Sequence, residues 1–97
     1  MSVTVLLELT VPPEKSSAVE AMLAEMLVDT RKFDGCLGVD AIRNQDDPGS
    51  FVLIERWQSR AHHERYNAWR AETGASSSAA AEVSATYSVR WYEPLAV

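Results

Sequence analysis

The sequence predicts an α+β domain, a four-stranded antiparallel sheet with two helices on one face, in the order βαββαβ. Three observations predict it. Four segments alternate in polarity with the period of a strand. Two segments carry apolar residues at steps of three and four, the period of a helix. Turn-forming Pro, Gly and Asp residues separate the segments.

Residues 3–11 alternate, with Val3, Val5, Leu7, Leu9 and Val11 on one side and Thr4, Leu6, Glu8 and Thr10 on the other. The β-branched content suits a strand. Pro12 and Pro13 end it, and Pro13 suits the first turn of a helix. Residues 14–33 then set Val19, Met22, Leu23, Met26, Leu27, Thr30 and Phe33 on one stripe. Glu14 at the start and Arg31 and Lys32 at the end complement the helix dipole. Asp34-Gly35 supplies the turn, with Gly35 free to take positive φ.

A weaker, more polar strand follows at 36–45, with Gly38 inside it. Asp46-Asp47-Pro48-Gly49 makes a hairpin turn into a third strand at 50–57. Phe51, Leu53, Glu55 and Trp57 share one of its faces, and Val52, Ile54 and Arg56 the other. Ser59 is a good N-cap for a helix over 61–73, closed or kinked by Gly74. His62, Tyr66 and Trp69 share one face of that helix; His63, Asn67 and Arg70 line a neighbouring one. The stretch 76–83 fits a loop or a short helix. A fourth strand over 84–92 sets Tyr87, Val89 and Trp91 against Ser88, Arg90 and Tyr92, and Pro94 closes it.

The totals describe one domain over 1–97, large enough for a modest core. A net charge of −5 opposes nucleic-acid binding and attraction to anionic membranes. Cys36 is the single cysteine, so an internal disulfide and a cysteine zinc site are excluded; its expected role is a buried, inert thiol. No apolar run approaches the roughly 18 residues of a membrane span, and the N-terminus lacks the pattern of a signal peptide. A cytoplasmic protein is the expectation.

Two helices cover one face of a sheet, yet the first and third strands are apolar on both faces. The second face needs a cover, and a second copy packed sheet to sheet is the simplest one. A homodimer is therefore expected, because so large an apolar patch is rare on a monomer.

The order of elements, the turn DGCLG at 34–38, the run DDPGSFVLIERWQS at 46–59 and the closing VRWYEP at 89–94 resemble the antibiotic biosynthesis monooxygenase family. The resemblance covers nearly the whole chain. It implies a ferredoxin-like domain that pairs as a dimeric α+β barrel, with a pocket between sheet and helices. One family branch oxidises quinols or aromatic polyketides with O2 and no cofactor. Another degrades haem, and some members serve only as binding or regulatory modules. Trp57 matches the family's pocket tryptophan at the strand end. The asparagine and tyrosine that accompany it in polyketide oxygenases are here Leu53 and His63, and a histidine common in the family is Tyr66. The pattern of haem degraders is missing, since strand one has no asparagine and position 66 is not tryptophan.

The function expected is a cofactor-independent monooxygenase acting on a quinol, phenolic or aromatic polyketide-type molecule. The alternative is a non-catalytic dimeric barrel that binds a small hydrophobic ligand. Trp57 fits core packing first and a pocket wall second. Leu53, His63 and Trp69 join it as expected substrate contacts, although Trp69 also fits packing on the sheet or the partner. Tyr66 either anchors the helix or directs its phenol into the pocket. His62 shares its face and is the preferred base, against a plain surface role. The adjacent His62 and His63 point about 100° apart on a helix and cannot easily chelate one metal, so no metal or other cofactor is expected. Arg56 and Arg90 are expected to pair with Glu8 or Glu55.

Overall fold

The computed structural model describes residues 2–73 and 84–97. Its elements are β1 (Val3–Thr10), α1 (Ser16–Lys32), β2 (Cys36–Arg43), β3 (Ser50–Trp57), α2 (Arg60–Thr73) and β4 (Thr86–Tyr92). The strands form one antiparallel sheet in the order β2-β3-β1-β4. This is the ferredoxin-like arrangement expected from the sequence, with β3 and β1 central.

The elements differ from expectation mainly at their ends. Pro13–Lys15 forms a separate 3-10 turn before α1, because proline fixes φ but cannot donate into a helical ladder. β2 stops at Arg43, where Asn44 begins turning the chain. The Asn44 Oδ1 and Asp47 Oδ1 atoms accept backbone N–H groups two residues on and shape the hairpin turn. Gly74 and the stretch 76–83 lie outside the described residues.

One face of the sheet carries the core. Register aligns Val3, Val5, Leu7 and Leu9 of β1 with Trp57, Glu55, Leu53 and Phe51 of β3, and Val5, Leu7 and Leu9 with Trp91, Val89 and Tyr87 of β4. Helix α1 lays Val19, Leu23 and Leu27 on this face, building an aliphatic cluster with Leu9, Val11, Val39, Phe51 and Leu53. Helix α2 lays His63, Tyr66 and Arg70 on it, beside an aromatic cluster of Val3, Val5, Trp57 and Tyr66.

The turn after α1 brings the two helices together. Gly35 has φ +90°, the left-handed region where a Cβ is strained, and a Cβ there would also run into the His62 ring. The Gly35 carbonyl accepts from the Gln58 N–H at 2.8 Å, tying this turn to the entrance of α2.

The other face carries no helix among the described residues. Leu6, Val52 and Ile54 are half-buried there, while Ile42 and Tyr92 remain 51% and 45% exposed. Ion pairs flank this apolar stripe, Arg90 with Glu8 at 3.6 Å and Arg56 with Asp40 at 3.6 Å. The first pair matches expectation. Arg56 takes Asp40 rather than Glu55, because successive strand residues point to opposite faces and Glu55 faces inward.

Candidate functional site

Between the sheet and the two helices lies a cavity of about 350 Å³. Leu7, Leu9, Leu53 and Val89 of the sheet and Met22, Leu23, Met26 and Leu27 of α1 give it apolar walls. Its polar groups enter from β3 and α2: Glu55, His63, Tyr66, Asn67 and Arg70. An apolar hollow with a few convergent polar groups is the usual form of a small-molecule site.

Glu55 sits on the inward face of β3 between Leu53 and Trp57 and is 3% exposed. Its Oε1 accepts from the Trp57 indole N–H at 3.0 Å and lies 3.8 Å from His63 Nε2. Its Oε2 has no hydrogen-bond partner among the described residues. Burial raises the Glu55 pKa above the ordinary carboxylate value, and the Trp57 hydrogen bond and the Arg70 charge only partly oppose this.

His63 is 2% exposed. Its Nδ1 faces the Trp91 indole Nε1 at 3.0 Å. An indole nitrogen only donates, so Nδ1 must accept and the neutral ring carries its proton on Nε2, toward Glu55. Burial, and secondarily the Arg60 charge, lowers the His63 pKa to about 4, so the imidazole is neutral at neutral pH.

Tyr66 and Arg70 form a second polar group at the junction with α1. Arg70 Nε donates to the Tyr66 hydroxyl at 2.7 Å. Arg70 Nη2 donates to the Met26 carbonyl at 2.9 Å and to Thr30 Oγ1 at 3.0 Å. Thr30 donates to the same carbonyl at 3.3 Å, so the proton shared over 2.7 Å between Thr30 and Tyr66 belongs to the phenol. Arg70 also lies over the Tyr66 and Trp69 rings, 5.3 and 4.9 Å from their centroids.

The expected site residues divide cleanly. Tyr66, His63 and Leu53 line the cavity together. Trp57, fully buried, lies one layer behind: it supports Glu55 through its N–H and packs on His63 and Tyr66 at 5.4 and 5.0 Å. Trp69 packs on Phe33 at 5.5 Å instead of lining the cavity. His62 turns away toward Ser59, whose hydroxyl is 2.7 Å from its Nδ1, and toward Asp34 at 3.9 Å. The helix explains the split, since neighbouring residues cannot share a face.

Glu55, Arg70, Thr30 and Trp91 complete the polar set and are not among the site residues expected from the sequence. For Glu55 the signal was present: a carboxylate at an inward strand position between Leu53 and Trp57. For Arg70 it was the four-residue step from Tyr66. Nothing local marks Thr30 or Trp91, because each meets its partner across distant sequence. Cys36 is half-buried in both clusters' margins, and burial raises its thiol pKa. No cluster of metal-ligating side chains occurs among the described residues.

A profile of the antibiotic biosynthesis monooxygenase family matches residues 2–72, most of the chain. The chain belongs to the antibiotic biosynthesis monooxygenase family. A relative in Mycobacterium tuberculosis, the protein Rv0793 assigned as a monooxygenase, is 42% identical over 48 residues, which span 50% of this chain and 46% of that protein. The solved structure of Rv0793 superposes with a TM-score of 0.81 at 26% identity, covering 98% of this chain and 96% of the other. A Deinococcus radiodurans protein assigned to the same family gives a TM-score of 0.84 at 23% identity, covering 98% and 94%. SnoaB from Streptomyces nogalater, described as a cofactor-independent oxygenase, gives 0.81 at 18% identity, covering 99% and 95%. The last two likenesses establish the fold. No helix among the described residues is long and apolar enough to cross a membrane.

Proposed function

We propose that this member of the family oxidises a quinol, phenolic or aromatic polyketide-type molecule with O2, without a metal or organic cofactor, in the cavity between sheet and helices. The observation that carries the proposal is Glu55: a buried carboxylate with raised pKa and one unpartnered oxygen at an apolar cavity. SnoaB is a cofactor-independent oxygenase on the same fold.

Such chemistry places its demand on the substrate. A phenolic O–H must lose its proton before the electron-rich anion can pass an electron to O2. The radical pair then recombines through a C–O bond to a peroxide anion, the carboxyl that took the first proton returns it to give the hydroperoxide, and loss of water, with the hydrogen on the same carbon, leaves a carbonyl. Glu55 is the acceptor for the first proton. His63 is not, because Trp91 occupies Nδ1 and the proton occupies Nε2. His62 is not, because it lies outside the cavity. A raised pKa makes Glu55 a stronger base than a surface carboxylate, closer in proton affinity to a phenol. Tyr66 holds Arg70 and closes the wall. Apolar surroundings strengthen these charges by excluding water.

The test is oxygen uptake with a panel of quinols and anthrones, comparing the wild type with Glu55→Gln and Tyr66→Phe. Uptake above background that falls in Glu55→Gln supports the reading. No uptake with any substrate refutes it, leaving the non-catalytic ligand-binding barrel.

The same proposal includes a homodimer through the open sheet face. Its support is the apolar stripe of Leu6, Ile42, Val52, Ile54 and Tyr92 between two ion pairs. Sedimentation should give twice the chain mass at micromolar concentration, and Ile54→Arg should give the single mass. A wild-type monomer would end this part of the reading.

A further inference from the structure

Arg70 is a buried cation that sits among neutral partners. It is 7% exposed, and it is one of the residues that line the cavity. Nε and Nη2 bind the Tyr66 hydroxyl, Thr30 Oγ1 and the Met26 carbonyl, all uncharged. Nη1 makes no hydrogen bond among the described residues, and none of their carboxylates lies within ion-pair distance of the group. A charge taken from water without a counter-ion is costly, and it remains costly until something supplies the opposite charge. The fold holds this guanidinium in place by three hydrogen bonds through Nε and Nη2, at a residue that lines the cavity.

The cavity's own carboxylate is poorly suited to be that counter-ion. Glu55 points its Oε1 to Trp57 and His63, beyond ion-pair reach of Arg70. Among the described residues, the cavity's other lining includes no further carboxylate, and Met22, Leu23, Met26, Leu27 and Val89 give it apolar walls.

We propose that the cavity selects ligands that combine an apolar ring body with an anionic oxygen, a carboxylate or a phenolate, and that Arg70 Nη1 anchors this oxygen. The inference rests on the reading of the cavity as a small-molecule site and adds the charge of its occupant. It makes Arg70 a specificity-determining residue: the anion fixes one end of the ligand, and the body lies along the leucine and methionine walls. A guanidinium suits this task because its charge is permanent and its donors lie in one plane.

The experiment is calorimetric titration with two isosteric probes, 2-naphthoate and the neutral 2-naphthamide, with 2-naphthol at pH 7 and pH 10 separating phenolate from carboxylate recognition. Wild-type protein should bind 2-naphthoate at least about ten-fold more tightly than 2-naphthamide. Arg70→Gln should abolish the preference, and Arg70→Lys should retain part of it. Tighter binding of 2-naphthol at pH 10 than at pH 7 extends the anchor to phenolates; its absence restricts the anchor to carboxylates. Equal or tighter binding of the amide by wild type overturns the proposal, as does failure of 2-naphthoate to bind at millimolar concentration. This comparison uses unaltered protein, so it decides the matter even if Arg70→Gln does not fold. Oxygen uptake is scored separately. A naphthoate preference without uptake from any quinol or anthrone refutes the oxygenase and keeps the anion anchor; uptake without the preference does the reverse.

Discussion

The two halves of the core face are built from the same sheet but do different work. The half under α1 is aliphatic: Leu9, Val11, Val19, Leu23, Leu27, Val39, Phe51 and Leu53 bury hydrocarbon alone. The half under α2 is aromatic, and it takes in the buried ionisable side chains Glu55, His63 and Arg70. The cavity lies where the two meet, with α1 giving its apolar wall and α2 its polar one. The contrast shows how a small domain tolerates charge in its core. Rings with a polar atom at the edge, Trp57, Trp91 and Tyr66, supply both packing and one hydrogen bond each to Glu55, His63 and Arg70.

This division can be broken one half at a time. Glu55→Gln keeps the shape and the Trp57 contact but removes the proton acceptor. Turnover should fall by about a hundred- to ten-thousand-fold, as measured by oxygen uptake, with the urea midpoint held or raised. A fall in stability without loss of turnover would place Glu55 in the structural half.

Phe51→Ala should do the opposite. Phe51 is 4% exposed in the aliphatic half and lies outside the cavity. Its removal should lower unfolding stability by about 3–5 kcal/mol in urea titration, with turnover per folded molecule unchanged.

The pH dependence sharpens the comparison further, because burial shifts Glu55 and His63 in opposite directions. His63 is lowered from 6.5 to about 4, so between these values the unfolded chain binds more protons than the folded one. Its contribution is full above pH 6.5 and is lost as pH falls toward 4. Glu55 is raised, so its burial destabilises the fold as pH climbs through the unfolded value of 4.5 toward the folded one. His63→Gln should therefore flatten the acid loss by on the order of 3 kcal/mol between pH 7 and pH 4. An unchanged acid limb would show that His63 is not desolvated.

His62→Ala should have the smallest effect. The ring is half-buried outside the cavity and leans on Ser59, so about 1 kcal/mol of stability is at stake and turnover should stay at the wild-type level. A large loss of turnover would return His62 to the site.

Alternation and helical spacing made the six main elements, the inward face of β3 and the covered and uncovered faces of the sheet legible from the residues alone. The resemblance to the family, rather than the periodicities, pointed to Leu53 and His63 as pocket residues beside Tyr66. Local order could not decide which of two adjacent histidines faces inward, since a helix phase error of one residue exchanges them. It could not reveal that Trp57 stands behind the cavity wall, because layer depth depends on what packs in front of a residue. Above all, it could not join Thr30 of α1 to Tyr66 and Arg70 of α2, or Trp91 of β4 to His63. The sequence by itself determined the periodicities, and hence the βαββαβ domain and its faces, because these depend on steps of two, three and four residues. Only the tertiary structure decided the site, because burial displaced the Glu55 and His63 pKa values, and hydrogen bonds between residues 28 to 40 positions apart set the His63 tautomer and tied Thr30 to Tyr66 and Arg70.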